Sequence, residues 1–249
     1  MLAFTYGAFA YLAFVASFLY AVGFIGNFGV PRGLDSAATS PAGSALLIDL
    51  ALLTLFALQH SVMARKSFKI WWTRFVPLVV ERSTYVLAAS LALGALCWYW
   101  QPIEGVVWSV KDPAAVTAIQ VVFWLGWVIL LVATFLINHF ELFGLRQVFY
   151  QLMGARIPEQ EFRTPFLYKY VRHPIYLGFV LGLWAAPEMT LGHLLFAAGG
   201  TGYILVGVWF EERDLVAHFG DRYRAYRQQV GMLFPRLGRR IAKEAAKRG

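Results

Sequence analysis

The sequence predicts an all-α protein, a polytopic membrane helical bundle with five or six transmembrane segments, a C-terminal helical hairpin and a cytoplasmic helical tail. Composition is the first observation: of 249 residues, 59% are hydrophobic and 14% are charged. Soluble domains are about 45–50% apolar and about 25% charged. A chain this apolar cannot cover itself with polar surface, which argues against a water-soluble globule. The second and third observations are long apolar runs and basic residues that cluster between them.

Four apolar runs near the 20 residues that a membrane helix needs come first, and two shorter pieces follow around a turn. The first run lacks a basic start and is too long for a cleavable signal peptide. The fifth piece, residues 175–187, gives about 20 Å of helix against a hydrocarbon core of about 30 Å. Five and six crossings therefore both remain open. The pieces cover residues 3–28, 44–64, 84–101, 115–137, 175–187 and 191–210.

The positions of the basic residues predict orientation. Of the 22 Lys and Arg residues, all but Arg32 and Lys111 lie in alternate connections or in the tail. Because cytoplasmic loops are enriched in Lys and Arg, both termini are expected in the cytoplasm of a bacterial-type inner membrane. The same distribution explains the net charge of +8 without nucleic-acid binding. The lone Cys97 excludes internal disulfides, and no metal site is predicted.

Charged residues flank the short hairpin on both sides. Arg172 and His173 precede Pro174, which suits the first turn of a helix, and Glu211 and Glu212 follow the second piece. A hairpin brings its ends together, so these four side chains should converge at one membrane face. Such a cluster suits a zwitterion, with a carboxylate on arginine and an ammonium or hydroxyls on glutamate. The alternative is a set of interfacial ion pairs that contribute little.

Small residues predict close packing within that hairpin, because Gly178 and Gly182 lie four residues apart. Polar residues inside membrane segments are functional candidates by default. His60 lies near the cytoplasmic end of the second run, and His139 directly follows the fourth. For His60 the alternative is an interfacial or hydrogen-bonded core histidine, and for His139 it is a polar helix end at the interface. Asp49, near the outer end of its run, is expected to be hydrated.

Residues 168–235 carry a composite motif. The chain reads R-H-P-x-Y-x-G from Arg172 to Gly178, then the Glu211–Glu212 pair, then F-G-D-R-Y-R-A-Y from Phe219. This pattern resembles the C-terminal signature of the integral-membrane methyltransferases that include isoprenylcysteine carboxyl methyltransferase. Residues 57–65, 77–85 and 138–147 resemble the bacterial methanethiol S-methyltransferases within that superfamily. Membrane proteins of the NnrU type share parts of the pattern.

The resemblance implies S-adenosylmethionine as cofactor, methanethiol as a small thiol substrate and dimethyl sulfide as product. Residues 1–138 would form the substrate side, and residues 139–249 would hold the cofactor. The sequence contains no acidic-Gly-x-Gly-x-Gly loop of the soluble methyltransferases. The implied cofactor-binding residues are Gln147, Tyr168, Arg172, His173, Tyr176, Gly178, Glu211 and Glu212.

The predicted chemistry is in-line methyl transfer to a thiolate. A histidine can accept the thiol proton, with His60 as the first candidate and His139 as the second. Arg82 is expected to stabilise the thiolate. Two alternatives stay open: methylation of another acceptor, such as a prenyl-cysteine carboxylate, a lipid amine, another thiol or sulfide, and a non-catalytic membrane accessory protein. The sequence leaves the oligomeric state undetermined.

Overall fold

A computed structural model describes residues 1–158 and 162–236. Within these ranges, five helices are long and apolar enough to span a membrane, which confirms a multi-pass helical protein. The predicted tail beyond residue 236, including residues 242–249, lies outside the described residues. The elements in order are α1 (Leu2–Gly26), α2 (Ala42–Ala64), α3 (Lys66–Trp72), α4 (Leu78–Tyr99), β1 (Val106–Ser109), α5 (Pro113–Ile137), α6 (His139–Leu142), α7 (Leu145–Leu152), a 3₁₀ helix (Phe166–Lys169), α8 (Pro174–Trp184), β2 (Glu188–Thr190), α9 (Leu191–Phe219) and α10 (Asp221–Gln229).

Local sequence signals set several helix ends. Asp112 caps α5 by accepting a hydrogen bond from the Ala115 N–H at 2.9 Å, and Pro113 occupies the first turn. Thr190 caps α9 in the same way, accepting from the His193 N–H at 3.0 Å. These side chains satisfy N–H groups that a helix leaves unpaired at its start. Pro174 opens α8, as predicted from its position.

A small antiparallel sheet shows at which end of the bundle α8 finishes. Strand β1 lies between the long helices α4 and α5, and β2 lies between α8 and α9. The two strands pair, with Val106 opposite Thr190 and Ser109 opposite Glu188. Because β2 pairs with β1 at one end of the bundle, α8 must carry the chain to that end from the opposite one. The described chain therefore passes six times between the two ends of the bundle, five times in helices long enough to span a membrane and once in the short α8 with the segment before it.

Helix α8 packs mainly against α5 rather than against its hairpin partner α9, which corrects the prediction of a tight α8–α9 contact. A Cβ atom on Gly178 would lie 2.5 Å from the Gly126 carbonyl oxygen, and one on Gly182 would lie 2.8 Å from the Trp127 ring. Gly178 is therefore required for close approach of two helices. Its implied place among the cofactor-binding residues stays a prediction.

The turns opposite the hairpin's charged end contain a buried polar network. The two ring nitrogens of His193 lie 2.8 Å from Asp35 Oδ2 and 2.9 Å from the Leu183 carbonyl oxygen. Thr190 donates to Asp35 Oδ1 at 2.5 Å. Burial acts to raise the pKa of Asp35, but the hydrogen bonds from His193, Thr190 and Asn27 outweigh burial and lower it. This network ties the α1–α2 loop to the start of α9.

Asp49 differs from its predicted environment. The side chain is fully buried, and its Oδ1 accepts a hydrogen bond from the Gln101 N–H at 2.8 Å. The expectation of a hydrated residue is therefore wrong. Gln101 lies directly after the end of α4, so its backbone N–H is free to donate to Oδ1, while Asp49 Oδ2 is buried without a hydrogen-bond partner among the described residues.

Candidate active site

One cavity of about 1610 Å³ extends from the charged end of the hairpin into the interior of the helical bundle. Its walls come from α1, α2, α4, α5, α8 and α9 and from the segment between α5 and α8. Three of the predicted site residues, His139, Gly178 and Glu212, do not line it. Those that line it are His60, Arg82, Gln147, Tyr168, Arg172, His173, Tyr176 and Glu211.

The structure brings the four charged hairpin residues together, as the hairpin geometry predicted. Arg172 contacts Glu212 through two nitrogens, with Nε at 2.7 Å and Nη2 at 2.6 Å from Oε1. Its Nη1 donates to the carbonyl oxygens of Arg227 at 3.1 Å and Val230 at 2.5 Å. The guanidinium thus joins the start of α8 to α9 and to the end of α10. The expected carboxylate clamp is corrected, since most of the donors on Arg172 serve the fold.

His173 lies between the two glutamates. Its Nε2 is 3.1 Å from Glu212 Oε1, and its Nδ1 is 3.7 Å from Glu211 Oε2. Glu212 is therefore held by both Arg172 and His173, behind the cavity wall. Glu211 is the carboxylate of this pair that lines the cavity.

Three buried polar atoms at this end of the cavity have no hydrogen-bond partner among the described residues. They are Glu211 Oε2, Gln147 Oε1 and the Tyr223 hydroxyl. Buried polar groups are rarely left unpaired, so a set of three on one cavity wall indicates a polar ligand. Two of the three are acceptors, which suits a ligand that carries ammonium or hydroxyl donors.

Tyr223 was not singled out as a site residue, although it belongs to the C-terminal motif. It is almost fully buried, and burial raises the pKa of its hydroxyl. Burial also raises the pKa of the Tyr168 hydroxyl on the same cavity wall. Both phenols therefore stay protonated at neutral pH and remain available as donors.

Deeper in the cavity, His60 is held on one side only. Its Nε2 is hydrogen-bonded to the Tyr85 hydroxyl at 2.8 Å, and its ring stacks on Phe56 with a centroid separation of 5.5 Å. Its Nδ1 is buried and has no hydrogen-bond partner among the described residues. The Tyr203 ring lies 6.2 Å away, edge-on. His60 is thus a positioned imidazole with one nitrogen left for a ligand.

Arg82 also lines the cavity and lies beside Tyr85. Its guanidinium lies 5.1 Å from the centroid of the Tyr85 ring, and its Nε donates to the Leu142 carbonyl oxygen at 2.8 Å. A positive charge therefore lies next to the tyrosine that holds His60. Neither Tyr85 nor Tyr203 was singled out by the sequence, because their partners are distant along the chain.

His139 is excluded from the cavity by its own contacts. Its Nε2 is 2.8 Å from the Tyr11 hydroxyl, its Nδ1 is 2.9 Å from Thr134 Oγ1, and its ring stacks on Phe135 at 4.2 Å. Burial lowers the pKa of His139, which keeps the ring neutral. The prediction of a second base is therefore corrected: both nitrogens are engaged, and His139 fastens α1 to the end of α5.

Comparison with known proteins finds relatives that align with most of the chain. The chain is 56% identical to "Methanethiol S-methyltransferase" of Mycobacterium tuberculosis, over 92% of this chain and 94% of that protein. It is 53% identical to "Methanethiol S-methyltransferase 1" of Bradyrhizobium diazoefficiens, over 94% of this chain and 82% of that protein. A more distant relative, "Nurim" of Bos taurus, is 30% identical over 68% of each chain.

No protein-family model matches the chain, and no solved structure matches it significantly. The assignment of the chain to a family therefore rests on relatives that align with it over most of their length. Because more than half of the aligned residues are identical to those of the two bacterial enzymes over most of each chain, the chain belongs to the methanethiol S-methyltransferase family.

Proposed function

We propose that this chain transfers a methyl group from S-adenosylmethionine to methanethiol and releases dimethyl sulfide. One observation carries the proposal: a single cavity joins unsatisfied polar groups at one end to a histidine with an unpartnered nitrogen at the other. The first end suits a polar methyl donor, and the second suits the deprotonation of a small, weakly polar acceptor. The names of the bacterial relatives support the choice of methanethiol.

The residues at the charged end fit the proposed cofactor. Glu211 and Gln147 offer unpaired carboxylate and amide oxygens to ammonium or hydroxyl groups, and Tyr223 offers a hydroxyl. When bound there, S-adenosylmethionine supplies an electrophilic methyl group on a sulfonium. His173, Tyr168, Tyr176 and Arg172 complete the wall, and Glu212 holds Arg172 and His173 in place from behind it.

His60 is the proposed general base. In the tautomer whose Nε2–H donates to the Tyr85 oxygen, Nδ1 carries a free lone pair and can accept the thiol proton. The hydrogen bond also fixes the orientation of the ring, and a fixed orientation is a large part of the benefit of general-base catalysis. Arg82 provides positive charge near the thiolate that forms.

We further propose that the charged end of the cavity faces the cytoplasm. Basic residues concentrate on this side, where bacterial membrane proteins place them. Residues 2 and 236 would then both lie in the cytoplasm, because six crossings separate them. The soluble cofactor reaches its end of the cavity from water, and methanethiol reaches His60 from the bilayer.

The test uses the purified full chain in detergent, with methyl-labelled S-adenosylmethionine and methanethiol. We expect labelled dimethyl sulfide in the headspace, detected by gas chromatography with mass detection. Omission of either reactant should abolish the product. If the chain binds S-adenosylhomocysteine and yet makes no dimethyl sulfide, it uses another acceptor. If it does neither, it is a non-catalytic membrane protein.

A further inference from the structure

The cavity continues beyond His60 toward the opposite side of the membrane. On α2 its wall includes Leu53 and Leu50, and on α4 it includes Leu93 and Leu96. Leu50 precedes His60 by ten residues, which corresponds to about 15 Å of helix at 1.5 Å per residue. We refer to this part of the cavity, between His60 and the level of Leu50 and Leu96, as the apolar chamber.

The apolar chamber offers few polar partners to an occupant. The Ser90 hydroxyl donates to the Val86 carbonyl oxygen of its own helix at 2.7 Å. The Ser17 hydroxyl donates to the Phe14 carbonyl oxygen at 3.0 Å. The rest of its wall is mostly aliphatic and aromatic, with α9 contributing Phe196 and a glycine pair. A wall of this kind favours hydrocarbon.

The cavity is also larger than the proposed reaction requires. At about 1610 Å³ it exceeds the range of roughly 300–1,000 Å³ typical of pockets for drug-sized ligands. Methanethiol has two non-hydrogen atoms and needs only the immediate surroundings of His60. The apolar chamber, which extends along about 15 Å of α2 beyond His60, lies away from both the cofactor end and the methyl-transfer position.

We propose that the apolar chamber binds the hydrocarbon part of thiols larger than methanethiol, so that the enzyme also methylates linear alkanethiols of several carbons. This inference rests on the proposed function. The thiol S–H bond breaks and its proton goes to His60. The thiol sulfur then bonds to the methyl carbon as the bond between that carbon and the sulfonium sulfur breaks, leaving the electron pair on the donor. The products are an alkyl methyl thioether and S-adenosylhomocysteine.

Burial of the thiol's hydrocarbon part in the apolar chamber strengthens binding of the thiol. Each buried methylene contributes roughly 0.8 kcal/mol, which is about fourfold in affinity. The value of kcat/KM should therefore hold or rise from methanethiol to 1-hexanethiol until the chamber is full. A pocket confined to His60 would instead reject the longer thiol by steric clash.

The experiment compares methanethiol with 1-hexanethiol at a fixed micelle concentration, with thioethers measured by gas chromatography. Leu93→Trp narrows the chamber well away from His60. Leu91→Trp is the matched control, because Leu91 is 65% exposed on the lipid side of the same helix. Melting temperatures show whether each variant is folded.

We expect the wild-type kcat/KM for 1-hexanethiol to lie within tenfold of the methanethiol value or above it. Leu93→Trp should lower the kcat/KM for 1-hexanethiol at least tenfold and change the kcat/KM for methanethiol less than threefold. Leu91→Trp should change neither kcat/KM. Turnover of methanethiol without any turnover of 1-hexanethiol would overturn the inference and leave the proposed function intact. An equal loss for both thiols in a folded Leu93→Trp protein would also overturn it. Turnover of neither thiol by the wild type would refute the proposed function itself.

Discussion

At the scale of single residues, the two sides of the His60 ring are in different situations. One nitrogen is bonded to Tyr85 at 2.8 Å, and the other is buried and unpartnered among the described residues. A purely structural histidine normally has both nitrogens satisfied, as His139 does with Tyr11 and Thr134. This contrast between the two histidines supports the proposal of His60, rather than His139, as the base.

Tyr85 tests this interpretation as a positioning residue. In Tyr85→Phe the ring remains, and His60 loses the hydrogen bond that selects its tautomer. We expect kcat for dimethyl sulfide formation to fall about tenfold, which corresponds to about 1.4 kcal/mol, the usual order for one hydrogen bond. The affinity for S-adenosylhomocysteine, measured by calorimetry, should not change. An unaltered kcat would show that Tyr85 does not position the base.

Glu211 tests the cofactor end. Glu211→Gln removes the charge of this carboxylate, whose Oε2 has no hydrogen-bond partner among the described residues, while keeping its shape. We expect the affinity for S-adenosylhomocysteine to fall at least tenfold by calorimetry, because hydrogen bonds to charged groups contribute roughly 1.5–3 kcal/mol. Glu188→Gln, at an exposed position on strand β2, is the matched control and should bind normally. Equal affinities in the two variants would remove Glu211 from the binding site.

At the scale of elements, the short α8 determines where the chemistry lies. Its 11 residues span about 16 Å, roughly half of the hydrocarbon core. Arg172 and His173, directly before it, are buried and lie in the wall of the cavity. Tyr168, in the preceding segment, reaches the Ala133 carbonyl oxygen of α5 at 3.4 Å.

The contact between α8 and α5 makes a prediction about stability. Gly178→Ala places a Cβ 2.5 Å from a backbone oxygen of α5, so the two helices must separate. We expect a lower melting temperature in detergent, corresponding to about 1–3 kcal/mol of overpacking. Gly202→Ala on α9 is the control, because its Cβ meets nothing within 4 Å and alanine favours helix. A Gly178→Ala protein as stable as Gly202→Ala would contradict the packing described.

At the scale of the whole molecule, the sequence predicted what depends on composition and local order. Apolar runs predicted the long helices, and Pro174 predicted the start of α8. Contacts between distant residues were not predictable from a single sequence. Tyr85 meets His60 across two helices, and β2 meets β1 across 80 residues of chain. For the same reason Gly178 was predicted to pack against α9, whereas it packs against α5. Small residues predict close packing but do not identify the partner helix.

The six-crossing topology makes a prediction of its own. Cys97 is buried, so single cysteines introduced at Lys111, Glu188 and Ala225 can be labelled selectively with a membrane-impermeant maleimide. In intact bacterial cells, Lys111→Cys and Glu188→Cys should both react, because β1 and β2 pair on one side. Ala225→Cys should react only after permeabilisation. Protection of Glu188→Cys alongside Ala225→Cys would show that α8 turns back without crossing.

The most direct test of the central claim separates chemistry from binding in His60→Ala. We expect the rate of dimethyl sulfide formation to fall at least 100-fold in this variant, which is within the usual contribution of a general base. The affinity for S-adenosylhomocysteine should stay within threefold of the wild-type value. His218→Ala, at an exposed position on α9, should retain full activity as the control. Normal dimethyl sulfide formation by His60→Ala would contradict the account, because the thiol proton would then leave by another route.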